Sequence, residues 1–448
     1  MPKGVVSLEK LFDLQNRFRG PPNAKVQSSI LAHRQVNLGS EDNPKFINLG
    51  KDCTPQEAQD FTQLFRKYRD VFAWTYEDLR TYDTRIIQHV IPIKENVKPF
   101  QQKLRKVHPT MEPLILKELK KLLDARIIFK VRHSTWVSNL VPVRKKSGEI
   151  RLCVDFRNLN RASSKDNYPV PPMEQILQAV SGSEMFSLLD GFSGYNQVLV
   201  AEPDRLKTTF RTKWGTFAYR RMPFGLINAG ATFQRAMDIA FRGLIGQSVV
   251  VYLDDVTVFS KHRGDHLRHL RQIFERCRKY GISLNPKKSV FAVAEGNLLG
   301  HIITKQGIVV NPERAKAISQ IPLPSGKKAM QSFLGKINFV RKFISDFAQI
   351  VKPLQGMIKK NAIFKWNQPE KEAFDQIKKA IAEAPSLQSP DFGRDFSLYT
   401  FASDSSLAAV LTQKDRNNDE RPISFMSTGL QGAELNYPEI EKQAYAVY

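Results

Sequence analysis

The sequence predicts an α+β chain on three observations. Two short apolar runs, at 185–190 and 249–259, read as strands that deliver carboxylates. Segments at 54–72, 112–126, 265–281 and 329–350 instead repeat their apolar residues at helical spacing. With 448 residues and 42% apolar content, the chain can build sizeable cores and is not wholesale disordered.

Taken in order, residues 1–50 carry scattered apolar positions and a Gly20-Pro21-Pro22-Asn23 break, and read as a linker or the tail of an upstream region. From Thr54 onward Phe61, Leu64, Phe65, Tyr68, Val71 and Phe72 recur at helix spacing. Residues 112–126 form an amphipathic helix, with Ile115, Leu119, Leu122 and Leu123 on one face. Its lysines Lys117, Lys120 and Lys121 read as a solvated face. Pro169, Pro171 and Pro172 mark a loop. A helix over 265–281 turns Leu267, Leu270, Phe274 and Cys277 inward and carries His266 and His269 on what reads as a polar face. No cysteine or carboxylate completes a metal set there. Asn311-Pro312 is a sensible helix start, and 329–350 is helical in period with a basic back.

The net charge is +24, from 68 basic and 44 acidic residues, which points to a polyanionic partner and salt-dependent binding. Cys53, Cys153 and Cys277 are far apart, form no CxxC pair and read as reduced, buried thiols of an intracellular protein. No apolar run approaches the roughly 18 residues of a membrane span, and no signal-peptide pattern is present.

Chemistry enters at Val249-Val250-Val251-Tyr252-Leu253-Asp254-Asp255-Val256-Thr257-Val258-Phe259. β-Branched and aromatic residues favour strands and Asp favours turns, so the acids belong where two strands reverse. Two adjacent like charges are unfavourable unless something cationic sits on them. A hard divalent cation such as Mg²⁺ takes carboxylate oxygens and completes its shell with water and substrate phosphates. The plain alternative is a surface turn. Against it stands Met185-Phe186-Ser187-Leu188-Leu189-Asp190, a second apolar run ending in an acid and followed by Gly191-Phe192-Ser193-Gly194-Tyr195. Two such strands can hold two metal ions about 4 Å apart, which suits in-line displacement at phosphorus.

Tyr252-Leu253-Asp254-Asp255 together with Asp190 resembles the palm of a reverse transcriptase of the gypsy type found in LTR retrotransposons. Further blocks follow in that family's order. The stretch from Val141 through Lys145, Arg151 and Asp155 to Asn160 resembles the fingers. Met222-Pro223-Phe224-Gly225 through Gln234 resembles the segment leading into the palm helix, and Leu298-Leu299-Gly300-His301 resembles the primer grip. The resemblance implies a right-hand polymerase with an incomplete α/β ribonuclease H-like domain. The implied domains are an N-terminal polyprotein region over 1–83, fingers and palm over 84–304, thumb over 305–362 and a truncated ribonuclease H-like domain over 363–448. The chain has no Asp-Thr-Gly or Asp-Ser-Gly triplet and no Cys-Cys-His-Cys knuckle, and so reads as a piece of a polyprotein.

What the resemblance implies for chemistry is RNA-directed DNA synthesis on an RNA or DNA template with a primer, using dNTPs. Asp190, Asp254 and Asp255 would be catalytic and would hold two Mg²⁺ ions, with Mn²⁺ an alternative. Lys145 and Arg151 match positions that grip the triphosphate, with Lys146 exchangeable for Lys145 after a one-residue slip in alignment. Tyr195 matches the steric gate against ribonucleotides, the alternative being a core tyrosine. Phe224 falls where the family contacts the nucleotide, or else plugs a turn, and Tyr252 is placed to touch the template–primer. No membrane partner is implied, and the oligomeric state is left open. The expected location is intracellular, in a cytoplasmic virus-like particle or the nucleus.

At the C-terminal end the pattern departs from the family. Leu398-Tyr399-Thr400-Phe401-Ala402-Ser403 has Phe401 where nuclease-active relatives carry Asp, and Glu441-Lys442-Gln443 has an amide at its second acid. Asp404 is the nearest substitute. Ribonuclease H activity is therefore not expected. The competing reading of the whole chain is a catalytically silent, nucleic-acid-binding relic.

Overall fold

The computed structural model describes residues 33–144, 148, 150–415 and 417–447, which form two compact units. One comprises residues 33–179 and 185–294, the other residues 180–184 and 295–447.

In the first unit the strands are β1 His33–Asn37, β2 Phe46–Gly50, β3 Ile128–Lys130, β4 Ser138–Arg144, β5 Ile150–Val154, β6 Met185–Asp190, β7 Phe210–Thr212, β8 Gly215–Tyr219, β9 Val249–Tyr252, β10 Asp255–Ser260 and β11 Val290–Val293. Its helices are α1 Pro55–Lys67, α2 Glu112–Asp124, α3 Arg157–Ala162, α4 Met173–Val180, α5 Ala229–Ala240 and α6 His266–Tyr280.

The sheet that matters for function runs β1-β2-β11-β6-β10-β9. β6 and β10 are antiparallel, with Asp190 opposite Asp255, and β10 returns to β9 with Asp255 opposite Tyr252. Val249, Val250, Val251, Val256, Val258 and Phe259 are all buried, so these strands are predominantly apolar on both faces. α6 covers the sheet with Leu270, Ile273, Phe274 and Cys277 and stops at Gly281, whose φ of +72° closes the helix in the left-handed region. Phe65, Phe72, Phe274 and Phe291 meet edge-on or tilted at 4.9–6.2 Å between ring centres and form the centre of this core.

The N-terminal reading needs correction. Residues 33–50 are not a linker: β1 pairs with β2, and β2 runs parallel to β11, adding two strands to the acid-bearing sheet. α1 then begins at a Thr54/Glu57 capping box with Pro55 in its first turn, and buries Ala58, Phe61, Leu64 and Phe65. Residues 33–82 therefore pack with the expected fingers and palm, not outside them.

α1 is also tied to the segment after β10. Arg263 donates to both oxygens of Glu57, at 2.6 and 2.8 Å, and to the Asp52 carbonyl at 2.7 Å. That guanidinium holds the Glu57 carboxyl down at about 2, below its ordinary 4.5. A depressed carboxyl contributes stability above its unfolded pKa and loses it as pH falls toward the folded value. Arg263→Gln should cost about 1–2 kcal/mol at neutral pH. Thermal melts of parent and variant should converge as pH drops from 4.5 toward about 2.

The second sheet of this unit is ordered β3-β8-β7-β4-β5, with β4 antiparallel to β5 and Val143 opposite Arg151. Lys145 and Lys146 lie outside the described residues.

The other unit begins with a three-stranded sheet of β12 Gly296–Leu298, β13 His301–Thr304 and β14 Gly307–Val310. The Leu298–His301 hairpin thus groups with the C-terminal unit, whereas the expected boundary fell after residue 304. α7 Pro312–Ser319 starts where expected, with the Asn311 side chain accepting from the Glu313 N–H at 2.9 Å. The single helix expected over 329–350 is two: α8 Lys327–Asn338 and α9 Phe347–Met357, separated by a 3₁₀ turn at Arg341–Phe343. β-Branched Val340 and Ile344 and the short polar pair Ser345-Asp346 interrupt it, and Asp346 sits at φ +51°. The apolar stripe survives the break, because Phe343 in the turn, Val340 and Ile344 beside it and Phe347 at the start of α9 are all buried.

After α10 Gln368–Ala382 comes an antiparallel sheet, β15 Ser397–Ala402, β16 Ser406–Lys414 and β17 Glu420–Gly429, then α11 Glu439–Tyr445. Phe392, Leu398, Met426, Ile440 and Val447 expose apolar surface in this region. Cys53 and Cys277 are buried thiols, but Cys153, on β5, is only half-buried. Among the described residues no helix is long and apolar enough to cross a membrane.

Candidate active site

Three carboxylates meet at one end of the first sheet. Asp190 ends β6, Asp255 opens β10, and Asp254 lies in the two-residue turn between β9 and β10. Leu253, the first residue of that turn, has φ +53°. A tight hairpin demands positive φ, and glycine or asparagine normally supplies it. A leucine there costs on the order of 1–3 kcal/mol, a strain that persists only where the surroundings over-determine it. Ser193, in the loop after Asp190, is a second left-handed residue at φ +48°.

Asp190 is fixed on three sides. Its N–H donates to Ser289 Oγ at 3.0 Å, its carbonyl accepts from the Asn285 N–H at 2.7 Å, and its carboxylate pairs with Lys288 Nζ at 3.2 Å. Asp254 and Asp255 reach solvent, yet the protein around them pushes both carboxyls above the ordinary range by burial. The charge of Asp190 adds to the rise in both, and that of Asp254 adds to it in Asp255. For Asp254 a hydrogen bond from Tyr195 and the charges of Lys288 and Arg151 work in the other direction.

Tyr195 is half-buried beside Asp254. Its ring lies 4.7 Å from that of Phe224 and 5.3 Å, edge-on, from that of Phe233. Arg151 in turn lies over the Phe224 ring at 5.5 Å. The phenol's ionisation is pushed up by burial and by Asp254, so Tyr195 remains a neutral donor.

These groups border a cleft of about 1460 Å³, whose walls include Asp190, Asp254, Arg151 and Phe224. Lys117, Lys120 and Lys121 also line it, so the face of α2 that read as merely solvated overlooks the carboxylates. Lys121 lies 5.2 Å over the Tyr76 ring. Tyr195 sits behind Phe224, while Asp255 and Tyr252 fall outside the lining of the cleft. Arg151, Tyr195, Phe224, Asp190 and Asp254 thus come together, Asp255 flanks them, and Lys145 falls outside the described residues.

The donor set is all hard oxygen, and two of its carboxyls are destabilised as anions by burial and by nearby acids, which suits a divalent cation. Among the described residues no three acid, imidazole or thiol groups converge tightly enough to enclose an ion unaided. An open cluster of this kind fits Mg²⁺ or Mn²⁺ that shares its ligands with water and substrate phosphates.

Several supporting residues escaped the sequence reading. Lys288 stands on Asp190. His266 does not lie on a polar face: it is fully buried, Nε2 hydrogen-bonded to Ser187 Oγ at 2.7 Å and Nδ1 to Ser260 Oγ at 2.8 Å. Burial pushes this imidazole down to about 3, so it stays neutral while linking β6 to β10 beneath the acids. Gln234, on α5, reaches the Leu253-Asp254 turn itself. The only advance signal for it is an amide among Ala229, Thr232, Phe233, Ala236, Met237 and Ala240, all buried.

Comparison with known proteins bears on this geometry. The family described as "Reverse transcriptase (RNA-dependent DNA polymerase)" matches residues 143–303, and that described as "RNase H-like domain found in reverse transcriptase" matches residues 366–448. The retrovirus-related Pol polyprotein from transposon 297 of Drosophila melanogaster is 36% identical over 98% of this chain and 42% of its own length. That from transposon gypsy of the same organism is 34% identical over 76% of this chain and 34% of its own. The Tf2-3 polyprotein of Schizosaccharomyces pombe (strain 972 / ATCC 24843) is 32% identical over 99% and 33%. The chain therefore spans less than half the length of these relatives. Among solved structures, the foamy viral protease-reverse transcriptase in complex with dsDNA superposes with a TM-score of 0.80 at 23% identity, over 88% of this chain and 82% of that one. At that identity the likeness speaks for the fold: a polymerase hand with a ribonuclease H-like domain.

Proposed function

Since the chain belongs to the reverse transcriptases of gypsy-type LTR retrotransposon Pol polyproteins, we propose that it is an RNA-directed DNA polymerase. It extends a primer 3′-hydroxyl with dNTPs on an RNA or DNA template. The observation that carries this reading is the meeting of Asp190, Asp254, Arg151 and Phe224 at one cleft, with Tyr195 packed against Phe224.

Asp190, Asp254 and Asp255 would hold two divalent ions, Mg²⁺ or Mn²⁺, which supply charge neutralisation at phosphorus and a more acidic primer hydroxyl. The remaining work falls to side chains. The planar fork of Arg151 binds triphosphate oxygens bidentately, and its stacking on Phe224 limits where that fork can point. Lys145 is assigned the same phosphates. Phe224 supports the nucleotide, and the Tyr195 ring, wedged between Phe224 and Phe233, closes the space a 2′-hydroxyl needs. Tyr252, half-buried at the end of β9, contacts the template–primer. The lysines of α2 attract the phosphate backbone, with strong salt dependence.

Incorporation of dTTP on poly(rA)·oligo(dT) with Mg²⁺ tests the reading. Salt-sensitive binding without incorporation would refute it.

We also propose that the ribonuclease H-like segment cleaves nothing. Phe401 is buried in β15, putting a phenyl ring where one acid would be needed, and Gln443 puts a neutral amide where another would be, beside a largely buried Lys442 that donates to the Asp404 carbonyl at 3.3 Å. An RNA/DNA hybrid should survive incubation with Mg²⁺ intact. Degradation that Asp404→Asn abolishes would contradict the proposal.

A further inference from the structure

Gln234 is 1% exposed on α5, whose other buried residues are Ala229, Thr232, Phe233, Ala236, Met237 and Ala240. Burying a carboxamide is costly unless every polar atom finds a partner. Each atom here has one. Oε1 accepts the Leu253 N–H at 2.8 Å, and Nε2 donates to Asp238 Oδ1 at 3.0 Å and faces the Val251 carbonyl at 3.4 Å. Asp238 is itself held, because the Tyr168 hydroxyl donates to its Oδ2 at 2.7 Å. The Arg235 guanidinium lies 4.4 Å over the Tyr168 ring and donates to both oxygens of Asp166, at 3.0 and 2.9 Å. This chain fixes which way round the amide sits, so that oxygen and not nitrogen faces Leu253.

The same helix shapes the rest of the turn. A Cβ on Gly230 would lie 3.3 Å from Leu253 Cδ2 and 3.8 Å from the Tyr195 hydroxyl. α5 thus approaches closely enough to hold the leucine side chain at one point and its peptide N–H at another. Leu253 is the left-handed residue on which the direction of Asp254 depends.

We infer that Gln234 is a positioning residue: it stabilises the left-handed Leu253 peptide and thereby sets where Asp254 and Asp255 point. It touches neither substrate nor the reacting atoms. A leucine or methionine of similar volume would pack at this site without the desolvation cost, so the amide is retained for its direction. The consequence for catalysis rests on the polymerase reading, whereas the consequence for the turn does not.

Two variants test this. Gln234→Met keeps the volume and removes the acceptor. The double variant Gln234→Glu with Asp238→Asn reverses the polarity of the pair: the new amide donates to the new carboxylate, which still accepts from Leu253. Hydrogen exchange of the Leu253 amide, read by fragmentation mass spectrometry on the whole chain without metal, should accelerate about tenfold in Gln234→Met. Amides of Val250, Val256 and Val258 should keep their protection. In primer extension kcat should fall about tenfold with template–primer Kd unchanged, and the double variant should recover most of both losses. Uniform acceleration across β9 and β10 would make Gln234 a packing residue and overturn the inference. So would an unchanged Leu253 amide, or an unchanged kcat once that amide is released. If the parent chain does not polymerise, the polymerase reading fails and the exchange result alone decides the inference.

Discussion

Asp254→Asn should leave template–primer binding intact and lower nucleotide incorporation by about 10³-fold. The substitution keeps shape and hydrogen bonding but removes one of the three negative charges gathered at the sheet end. Asp254 is the member of the trio that lines the cleft from the turn, accepts from Tyr195 and sits within the fields of Arg151 and Lys288. Its carboxyl is also one of the two that burial and neighbouring acids destabilise, so the folded protein gains nothing from its charge in the absence of a cation. The amide variant should accordingly melt no lower than the parent, and somewhat higher if the repulsion is relieved. Single-turnover incorporation and thermal melts on the same preparations check both halves. An inactive variant that is also less stable would mean that Asp254 serves the fold.

Tyr195→Ala should open the site to ribonucleotides. In the proposed role the Tyr195 ring, packed against Phe224 at 4.7 Å and Phe233 at 5.3 Å with Asp254 beside its hydroxyl, excludes a 2′-hydroxyl by its bulk. Removing it leaves a gap next to the sugar, and the preference for dNTP over rNTP should fall about 10²-fold in kcat/KM. Tyr195→Phe keeps the ring and loses only the hydrogen bond to Asp254, so it should retain discrimination. The pair separates exclusion by bulk from any effect passing through Asp254. Equal loss of discrimination in both variants would place the gate elsewhere.

The acid-bearing strands are legible in the sequence because both faces of β6, β9 and β10 are buried. Their runs are mostly apolar, broken only by small hydroxyl residues such as Ser187 and Thr257 and by the aspartates at their ends. Tyr195 and Arg151 are legible only through resemblance, since a lone tyrosine or arginine carries no local signal. β1 is invisible for the opposite reason. His33-Arg34-Gln35-Val36-Asn37 is an edge strand, largely exposed, and its place is set by pairing with β2 and not by its own composition. Periodicity finds the stripe of α8 and α9 but not the break between them, because the same apolar residues are buried by a turn as by a helix. Gln234 and His266 act through partners 19 and 79 residues away, a distance across which one sequence holds no pairing information.

The most direct test of the central claim is extension of a labelled DNA primer on a heteropolymeric RNA template by parent and Asp254→Asn side by side, with template–primer affinity measured in the same buffer. Mg²⁺-dependent, template-directed extension by the parent is expected, with its loss in the variant at equal affinity. Equal extension by both would remove the carboxylate cluster from the chemistry. Tight binding with no extension by the parent would make this chain a nucleic-acid-binding relic and not a polymerase.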